Sequence, residues 1–377
     1  MTRPPERAAV SDDASHRRIE DKLAHIEATL GGEAEVAGGR GGGLTWADLR
    51  FLPRALPEVD LAEIDLRTEI LGKPIRAPFM ISPMTGGIAE GGELNRRMAR
   101  AAEAMQIPFG VGSQRVALED PSRASAFEVR SVAPTIPIFA NLGAIQLTRG
   151  YGLEHALRAV DMVEADGIYL HLNAMQEVVQ EGGDVNWSGV LRAIESLCSA
   201  MSRTLRPIPV WAREVGFGVA RDDVRRLLDA GVSGLDCAGG GGTSWTRVEG
   251  LVAKSGRHRR LGEVFASWGL TTPESIREVR SVAPTVPLAA SGGIRSGLDI
   301  AKCVALGVDV AGLASPVLKA AQVSSEAVLE LLQDLEAEVR ATFFGIGAKD
   351  LAALREGPRL FSSPGFAWGP SDPTDRS

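Results

Sequence analysis

The octapeptide EVRSVAPT occurs twice in the chain, at residues 128–135 and again at 278–285. Each copy leads into a proline, a short apolar run and a glycine turn, in IPIFANLG (136–143) and VPLAASGG (286–293). A helix must end before Ala-Pro-Thr at both places, because the residue before a proline disfavours the helical backbone conformation. The repeat therefore indicates a helix-then-strand unit that is used more than once, and it carries no information about chemistry.

The same alternation extends outward from these two units over most of the chain. Amphipathic stretches such as 92–106, 220–232 and 297–308 predict helices. Eight short apolar runs predict strands, at 77–83, 107–112, 136–142, 167–173, 208–215, 233–239, 286–292 and 309–315. Near-continuous apolar strands that alternate with helices indicate a parallel sheet covered on its outer face, and eight of them close a barrel. We therefore predict the α/β class and a (β/α)8 TIM barrel.

The composition predicts flanking segments on either side of this barrel. RRIEDKLAHIEATL (17–30) has a helical spacing of apolar residues, and GGEAEVAGGRGGG (31–43) is typical of a mobile linker. We assign residues 1–43 to a mobile N-terminal helical and extended segment, 44–355 to the barrel and 356–377 to a loose C-terminal tail.

The charge and the cysteines limit the possible partners and compartments. A net charge of -7 argues against nucleic acid, because a phosphate backbone requires a basic face. No apolar run reaches the roughly 18 residues that cross a bilayer, and the polar N-terminus lacks the apolar core of a signal peptide. Cys198, Cys237 and Cys303 have no CxxC spacing, which suits a reducing compartment. We expect a cytoplasmic protein with neither nucleic acid nor a membrane as partner.

Polar and glycine-rich loops follow the predicted strands, where a TIM barrel carries its active groups. In chain order they are MTGG (84–87), GSQR (112–115), NLG (141–143), HLNAMQE (171–177), REVGFG (213–218), AGGGGTS (238–244), SGGIRSG (291–297) and ASP (314–316). The seventh and eighth loops commonly form a phosphate site in this fold, which predicts a mononucleotide such as FMN at Gly292 and Gly293. The alternative is that these glycines only make a tight turn.

Three further loops carry residues with two possible interpretations. The run GGGGTS (239–244) suits either a second ligand contact or a plain flexible loop. Arg213 either balances the negative charge of a reduced flavin or pairs with a carboxylate at the barrel rim. His171 and Asn173 share one face of a strand, so they either bind a polar ligand or are satisfied core residues, and Glu177 suits Mg²⁺ held together with diphosphate oxygens.

The motifs MTGG, GSQR, NLG, HLNAMQE, EVGFG, GGTSW and SGGIRSGLD, in this order, resemble type 2 isopentenyl-diphosphate isomerase, the flavin-dependent form. The resemblance covers about residues 45–355. It implies a TIM-barrel flavoprotein, a homotetramer or octamer, that interconverts isopentenyl and dimethylallyl diphosphate. It also implies reduced FMN and Mg²⁺ as cofactors and NADPH as the initial reductant of the flavin.

The resemblance further implies which residues form the site. FMN would contact Met84, Thr85, Ser113, Asn141, Arg213, Thr243, Gly292, Gly293, Arg295, Ala314 and Ser315. The substrate diphosphate would meet Arg115, His171 and Asn173, with Arg17 and Arg18 from a segment that closes over it. Gln176 would be the catalytic residue beside the allylic end of the substrate, and Glu177 would ligate Mg²⁺.

Two positions depart from the family pattern. Arg213 stands where the family usually has lysine, and the N-terminal motif is represented by RRIED (17–21), with Asp21 where histidine is expected. These departures leave two alternatives, a related isomerase or cyclase for another prenyl diphosphate and a non-catalytic barrel that binds FMN or a prenyl phosphate. A flavin oxidase of 2-hydroxy acids is less favoured, because Ser291 precedes Gly-Gly where that class has histidine.

Overall fold

In the computed structural model, residues 24, 25, 27–36, 43–84, 89–356 and 360–362 are described, and eight parallel strands form a closed barrel. Two small sheets flank it: β1 (Leu49–Phe51) pairs with the last strand of the chain, and β2 (Thr68–Ile70) pairs with β3 (Lys73–Ile75). The barrel strands are β4 (Phe79–Ile81), β5 (Phe109–Gly110), β6 (Ile138–Gly143), β7 (Gly167–Leu172), β8 (Val210–Glu214), β9 (Gly234–Asp236), β10 (Leu288–Ser291) and β11 (Val310–Leu313), and the last strand is β12 (Leu360–Ser362). The predicted TIM barrel is confirmed, and each barrel strand lies within one of the eight predicted runs, except that β6 extends one residue further, to Gly143.

Helices cover the outside of the barrel, as the alternating pattern predicts. They are α1 (Ala89–Met105), α2 (Arg115–Glu119), α3 (Leu153–Val163), α4 (Ala174–Val179), α5 (Val190–Met201), α6 (Arg221–Asp229), α7 (Trp245–Val252), α8 (Gly256–Val264), α9 (Thr272–Val282), α10 (Gly297–Ala305), α11 (Ser315–Val323), α12 (Ser325–Gly345) and α13 (Leu351–Arg355). Residues 24, 25 and 27–30 are also helical. None of the helices in the described part of the chain is long and apolar enough to span a membrane.

The barrel interior is filled by aromatic side chains near the amino-terminal ends of the strands. Phe139 stacks on Tyr169 with ring centroids 4.2 Å apart, and Trp211 meets Phe139 edge-on at 5.3 Å. Gly234 gives Trp211 its space, because a Cβ at residue 234 would lie 2.2 Å from the indole ring. This layer closes the lower end of the barrel and leaves room only at the carboxyl ends of the strands.

The duplicated octapeptide performs the same structural task twice. In the first copy Arg130 donates to the carbonyl oxygens of residues 133 and 136 and to Asp166, just before β7. In the second copy Arg280 donates to the carbonyl oxygens of residues 283 and 286 and to Asp309, just before β11. Each aspartate also accepts the backbone N–H of the intervening strand, at residues 138 and 288. The repeat therefore encodes an arginine clamp to two neighbouring strands, which starts from the end of α9 in the second copy and from a turn in the first. The helix predicted before the first Ala-Pro-Thr is wrong, because residues 128–135 are not helical and follow a 3-10 helix that ends at Phe127.

Parts of both predicted flanking segments make defined contacts. Residues 34 and 36 hydrogen-bond to the backbone of the loop after β9, through Ser244 N–H to Ala34 O at 2.9 Å and Val36 N–H to Gly242 O at 3.0 Å. Residues 360–362 form the second strand of the β1–β12 sheet. The described structure thus includes portions of the N-terminal linker and of the C-terminal tail.

Candidate active site

A cavity of about 300 Å³ opens at the carboxyl ends of the barrel strands, and each of the eight strands contributes to its lining, either itself or through the connection that follows it. Most of the predicted site residues lie in this lining, namely Met84, Ser113, Asn141, His171, Asn173, Gln176, Arg213, Thr243, Gly292, Gly293, Arg295, Ala314 and Ser315. Arg115 and Glu177 lie outside the lining. Thr85, Arg17 and Arg18 fall outside the described residues, and so does the whole RRIED motif.

The floor of the cavity follows from the two-residue period of the strands. Side chains at positions i and i+2 point to the same face, so the residues two positions after the aromatic layer also point inward. Asn141 follows Phe139, His171 follows Tyr169 and Arg213 follows Trp211 in this way. On these three neighbouring strands, the inward-facing side chains are therefore aromatic at one position and polar two residues later.

The seventh and eighth loops have the features of an anion site. Gly292 and Gly293 have φ values of 107° and 71°, which favour glycine, and a Cβ at Gly292 would lie 2.1 Å from Gly239 O. Ser296 caps α10 in a capping box, whereas Ala314 gives α11 no side-chain cap, so the partial positive charge of the α11 N-terminus remains available.

The chain itself provides an anion at this site. The Glu35 carboxylate accepts hydrogen bonds from Arg295 Nη2 at 2.9 Å, from Ser315 Oγ at 3.3 Å and from Lys319 Nζ at 3.4 Å. A guanidinium, a hydroxyl and an ammonium that converge on one carboxylate are suited to a phosphate group. The donor set therefore fits the phosphate of a mononucleotide.

Arg213 forms the carboxylate pair that one of its two interpretations predicts. It lines the cavity and also forms a buried ion pair with Asp236, which in turn accepts a hydrogen bond from Ser291 Oγ at 3.1 Å. Its guanidinium lies over the Tyr169 ring, 5.7 Å from the centroid. The carboxylate partner thus comes from the next strand and not from the adjacent Glu214.

Glu214 has a separate structural task in the loop after β8. Its Oε2 accepts the backbone N–H groups of residues 216, 217 and 218 at 2.5–3.1 Å. Burial raises the pKa of Glu214 to about 8, while these N–H groups favour the ionised form. The carboxyl group therefore shapes the glycine-containing turn below the cavity.

His171 is a neutral hydrogen-bonding group. Asn141 Nδ2 donates to Val111 O at 3.1 Å, which turns its Oδ1 towards His171 Nδ1 at 2.8 Å and assigns the proton of the imidazole to Nδ1. Burial, together with the positive charges of Arg213 and Arg115, lowers the pKa of His171 to about 4. His171 therefore presents Nε2 as an acceptor. A contact with a phosphate would favour the protonated, positively charged form of histidine instead.

Gln176 is held by Glu249, and Glu249 contacts His25; the sequence reasoning missed both residues. The Nε2 of Gln176 donates to Glu249 Oε1 at 2.7 Å, and Glu249, which is only 3% exposed, also meets His25 Nε2 at 3.3 Å. His25 lines the cavity and packs edge-on against Trp245, with ring centroids 6.1 Å apart. A buried carboxylate on α7 thus connects the N-terminal helix to the predicted catalytic amide.

Glu177 and Arg115 form a charged group next to the cavity. Glu177 accepts hydrogen bonds from Asn173 Nδ2 at 2.8 Å and from the backbone N–H of Asp184 at 2.6 Å. Burial raises the pKa of Glu177. Arg115 contacts Glu119 at 3.0 Å and Asp184 at 3.7 Å, and Arg149 contacts the other oxygen of Asp184 at 3.0 Å.

Among the residues that the structure describes, no three His, Cys, Asp or Glu side chains are grouped to hold a metal ion. A divalent cation at Glu177 would therefore need further ligands from a substrate and from water, which is the usual way in which Mg²⁺ is bound beside phosphates.

Comparisons with known proteins agree with this site. A profile of the FMN-dependent dehydrogenase family matches residues 26–130 and 201–359. The isopentenyl-diphosphate delta-isomerase of Nostoc sp. is 47% identical over 82% of this chain and 87% of the relative. The isopentenyl-diphosphate delta-isomerase of Xanthobacter autotrophicus is 46% identical over 93% of this chain and 98% of the relative.

The fold also matches solved structures of more distant proteins. A mandelate oxidase variant with an FMN adduct superposes with a TM-score of 0.59 at 20% identity, and the match covers 93% of this chain and 99% of that chain. At this identity the likeness concerns the fold alone. The profile match and the identities above 40% are decisive, and they establish that the chain belongs to the isopentenyl-diphosphate delta-isomerases of the FMN-dependent dehydrogenase family.

Proposed function

We propose that this protein interconverts isopentenyl diphosphate and dimethylallyl diphosphate, with reduced FMN and Mg²⁺ as cofactors and NADPH as the reductant of the flavin. The observation that carries the proposal is the position of Gln176, which lines the same cavity as the anion site and is oriented by the buried Glu249. Relatives that bear the isomerase name are 40–47% identical to this chain, which supports the same reaction here.

FMN would be held at its phosphate by Arg295, Ser315 and the backbone of the glycine loop, and along its ring system by residues near Arg213. Reduced FMN would supply both an acid and a base at N5, which suits the movement of an unactivated double bond without net redox change. Arg213 provides a buried positive charge beside the ring, and Asp236 limits the net charge that it adds.

The substrate diphosphate would lie between Arg115, Asn173 and an Mg²⁺ ion on Glu177. Asn173 joins the cavity to Glu177 through one hydrogen bond, so a cation on Glu177 would be adjacent to the cavity rather than inside it. His171 would accept a hydrogen bond from a bound water or from a protonated phosphate oxygen, because its Nε2 presents a lone pair at neutral pH.

The N-terminal segment would complete the site through His25. Sequence reasoning aligned the histidine of the family motif with Asp21, but His25 is the histidine that lines the cavity and contacts Glu249. A register shifted by four residues would bring Lys22 into the basic part of the motif, with Asp21 preceding it. This register gives the motif its histidine and one of its two basic residues, while Asp21 occupies the position of the other.

Two further parts of the proposal concern assembly and compartment. Leu52, Leu56 and Phe344 are exposed on neighbouring segments, which Arg54 N–H joins by donating to Gly345 O at 2.8 Å, and exposed apolar side chains support a homo-oligomer. The size, a tetramer or an octamer, rests on the family resemblance. Cys198, Cys237 and Cys303 are buried and unpaired, which supports a reducing, cytoplasmic compartment.

The test is turnover by the purified full-length protein loaded with FMN and photoreduced in the presence of Mg²⁺. We expect dimethylallyl diphosphate from isopentenyl diphosphate, and no product when the flavin is oxidised. Longer prenyl diphosphates assayed in parallel distinguish a related isomerase or cyclase. Absence of five-carbon product, beside an active control isomerase, would exclude the proposed reaction.

A further inference from the structure

We propose that Glu35 competes with the cofactor phosphate for its site and thereby sets how strongly the protein prefers FMN over unphosphorylated riboflavin. The inference rests on the proposed use of FMN, and it concerns a carboxylate of this chain to which neither the family motifs nor the comparisons assign a role.

The first support is the set of donors that Glu35 occupies. Its carboxylate takes Nη2 of Arg295, the hydroxyl of Ser315 and the ammonium of Lys319. Arg295 and Ser315 are two of the residues predicted to bind FMN, and Lys319 lies one helical turn after Ser315 on α11. These side chains are therefore engaged by an internal anion before any ligand binds.

The second support is that the backbone around Glu35 is fixed in this position. Residues 34 and 36 hydrogen-bond on either side of Thr243, in an isolated bridge between Glu35 and Thr243. Arg247 Nε also donates to the carbonyl oxygen of Glu33. The carboxylate is thus held by its segment, and it cannot leave the donors without a rotation of its own side chain or the loss of these contacts.

The third support is that Glu35 already occupies the Nη2 group of Arg295. Nη1 donates to Gly241 O at 3.1 Å and Nη2 to the Glu35 carboxylate at 2.9 Å, so a phosphate that approaches Nη2 meets this carboxylate. Partial burial raises the pKa of Glu35, but Arg295 and Lys319 outweigh this effect and lower it overall, so the carboxyl is ionised at neutral pH. A phosphate placed beside the ionised carboxylate would be repelled.

Displacement of Glu35 therefore reduces the apparent affinity for any ligand that carries a phosphate at this position, because only the fraction of molecules with the site open can bind. Riboflavin lacks the phosphate, so its binding does not require the displacement. The expected result of removing the charge is a selective gain in affinity for FMN.

The experiment compares the flavin-free full-length protein with its Glu35→Gln, Glu33→Gln and Arg295→Gln variants. Dissociation constants for FMN and riboflavin are measured by quenching of flavin fluorescence and by calorimetry, without substrate. We expect Glu35→Gln to bind FMN about tenfold more tightly and riboflavin within about twofold of wild type. Glu33→Gln is the matched control, because Glu33 is exposed and lies two residues away. Arg295→Gln should weaken FMN binding selectively.

Three results would overturn the inference. These are unchanged FMN affinity in Glu35→Gln, weaker FMN binding in that variant, or an equal gain for FMN and riboflavin, which would indicate a general loosening of the segment. Each of these results leaves the proposed function intact as long as the wild-type protein binds FMN. A wild-type protein that binds neither flavin would instead overturn the proposed function together with this inference.

Discussion

Replacement of Glu249 by glutamine tests how the site orients the amide of Gln176, the proposed catalytic residue. In the wild type, the Glu249 carboxylate can only accept, so it selects the amide orientation in which Gln176 Nε2 donates. A glutamine at position 249 removes the charge and can either donate or accept, so the orientation of Gln176 is no longer fixed. The substitution keeps the size of the side chain, which is buried, and leaves the packing of α7 unchanged.

The size of the effect follows from the exchange of a charged hydrogen-bond acceptor for a neutral one. A hydrogen bond to a charged group contributes about 1.5–3 kcal/mol and one between neutral groups about 0.5–1.5 kcal/mol, so the expected loss is about 1–1.5 kcal/mol. Since about 1.4 kcal/mol corresponds to a tenfold change in rate, we expect kcat/KM to fall about 5- to 12-fold. Flavin binding should stay within about twofold of wild type, because Glu249 lies outside the cavity lining.

The assay is steady-state turnover of isopentenyl diphosphate by the photoreduced, FMN-loaded protein, with Glu263→Gln as an exposed control in the adjacent helix α8. If Glu249 acts through Gln176, the double variant Gln176→Ala, Glu249→Gln should lose no more activity than Gln176→Ala alone. Turnover by Glu249→Gln close to that of wild type would refute the reasoning, and so would additive losses in the double variant.

Three further predictions concern the other parts of the site. The free energy of unfolding should fall as the pH drops from about 6.5 to about 4. The reason is that His171 has a pKa of about 4 in the folded protein, so the unfolded state takes up the proton first. The loss is on the order of 3 kcal/mol, and urea unfolding at several pH values should show it in wild type and not in His171→Asn. Gly292→Ala should abolish FMN binding, measured by fluorescence quenching, because its φ is 107° and Gly239 O obstructs a Cβ; Gly152→Ala, where a Cβ meets no atom within 4 Å, should bind normally. Glu177→Gln should abolish turnover at Mg²⁺ concentrations that saturate the wild type while FMN binding is unchanged, and a Mg²⁺ titration that matches wild type would argue against Glu177 as the ligand.

The barrel could be predicted because its determinants are local in the sequence. Each strand is a short apolar run between glycine-rich and proline-containing turns, and the side-chain period then determines that residues such as Asn141 and His171 face inward. The glycines of the seventh loop were also recognisable, because few arrangements other than an anion site or a tight turn require them.

Glu249, His25 and Glu35 were missed because nothing local distinguishes them. Glu249 and His25 each lie in an amphipathic stretch, where a charged residue is expected on the solvent-exposed face. Their roles depend on a contact between residues 224 positions apart, as that of Glu35 depends on Arg295 in the distant seventh loop. Only the folded chain brings these partners together.

The arginine clamp that the repeated octapeptide encodes also bears on the history of the chain. Its two copies precede the third and the seventh barrel strands, which lie opposite each other in a ring of eight. Identical clamps at opposite positions are expected if two half-barrels of four strands each descended from one ancestral unit. A chain permuted so that its new termini fall between the halves would keep both clamps whole, and we expect such a permutant to close the same barrel.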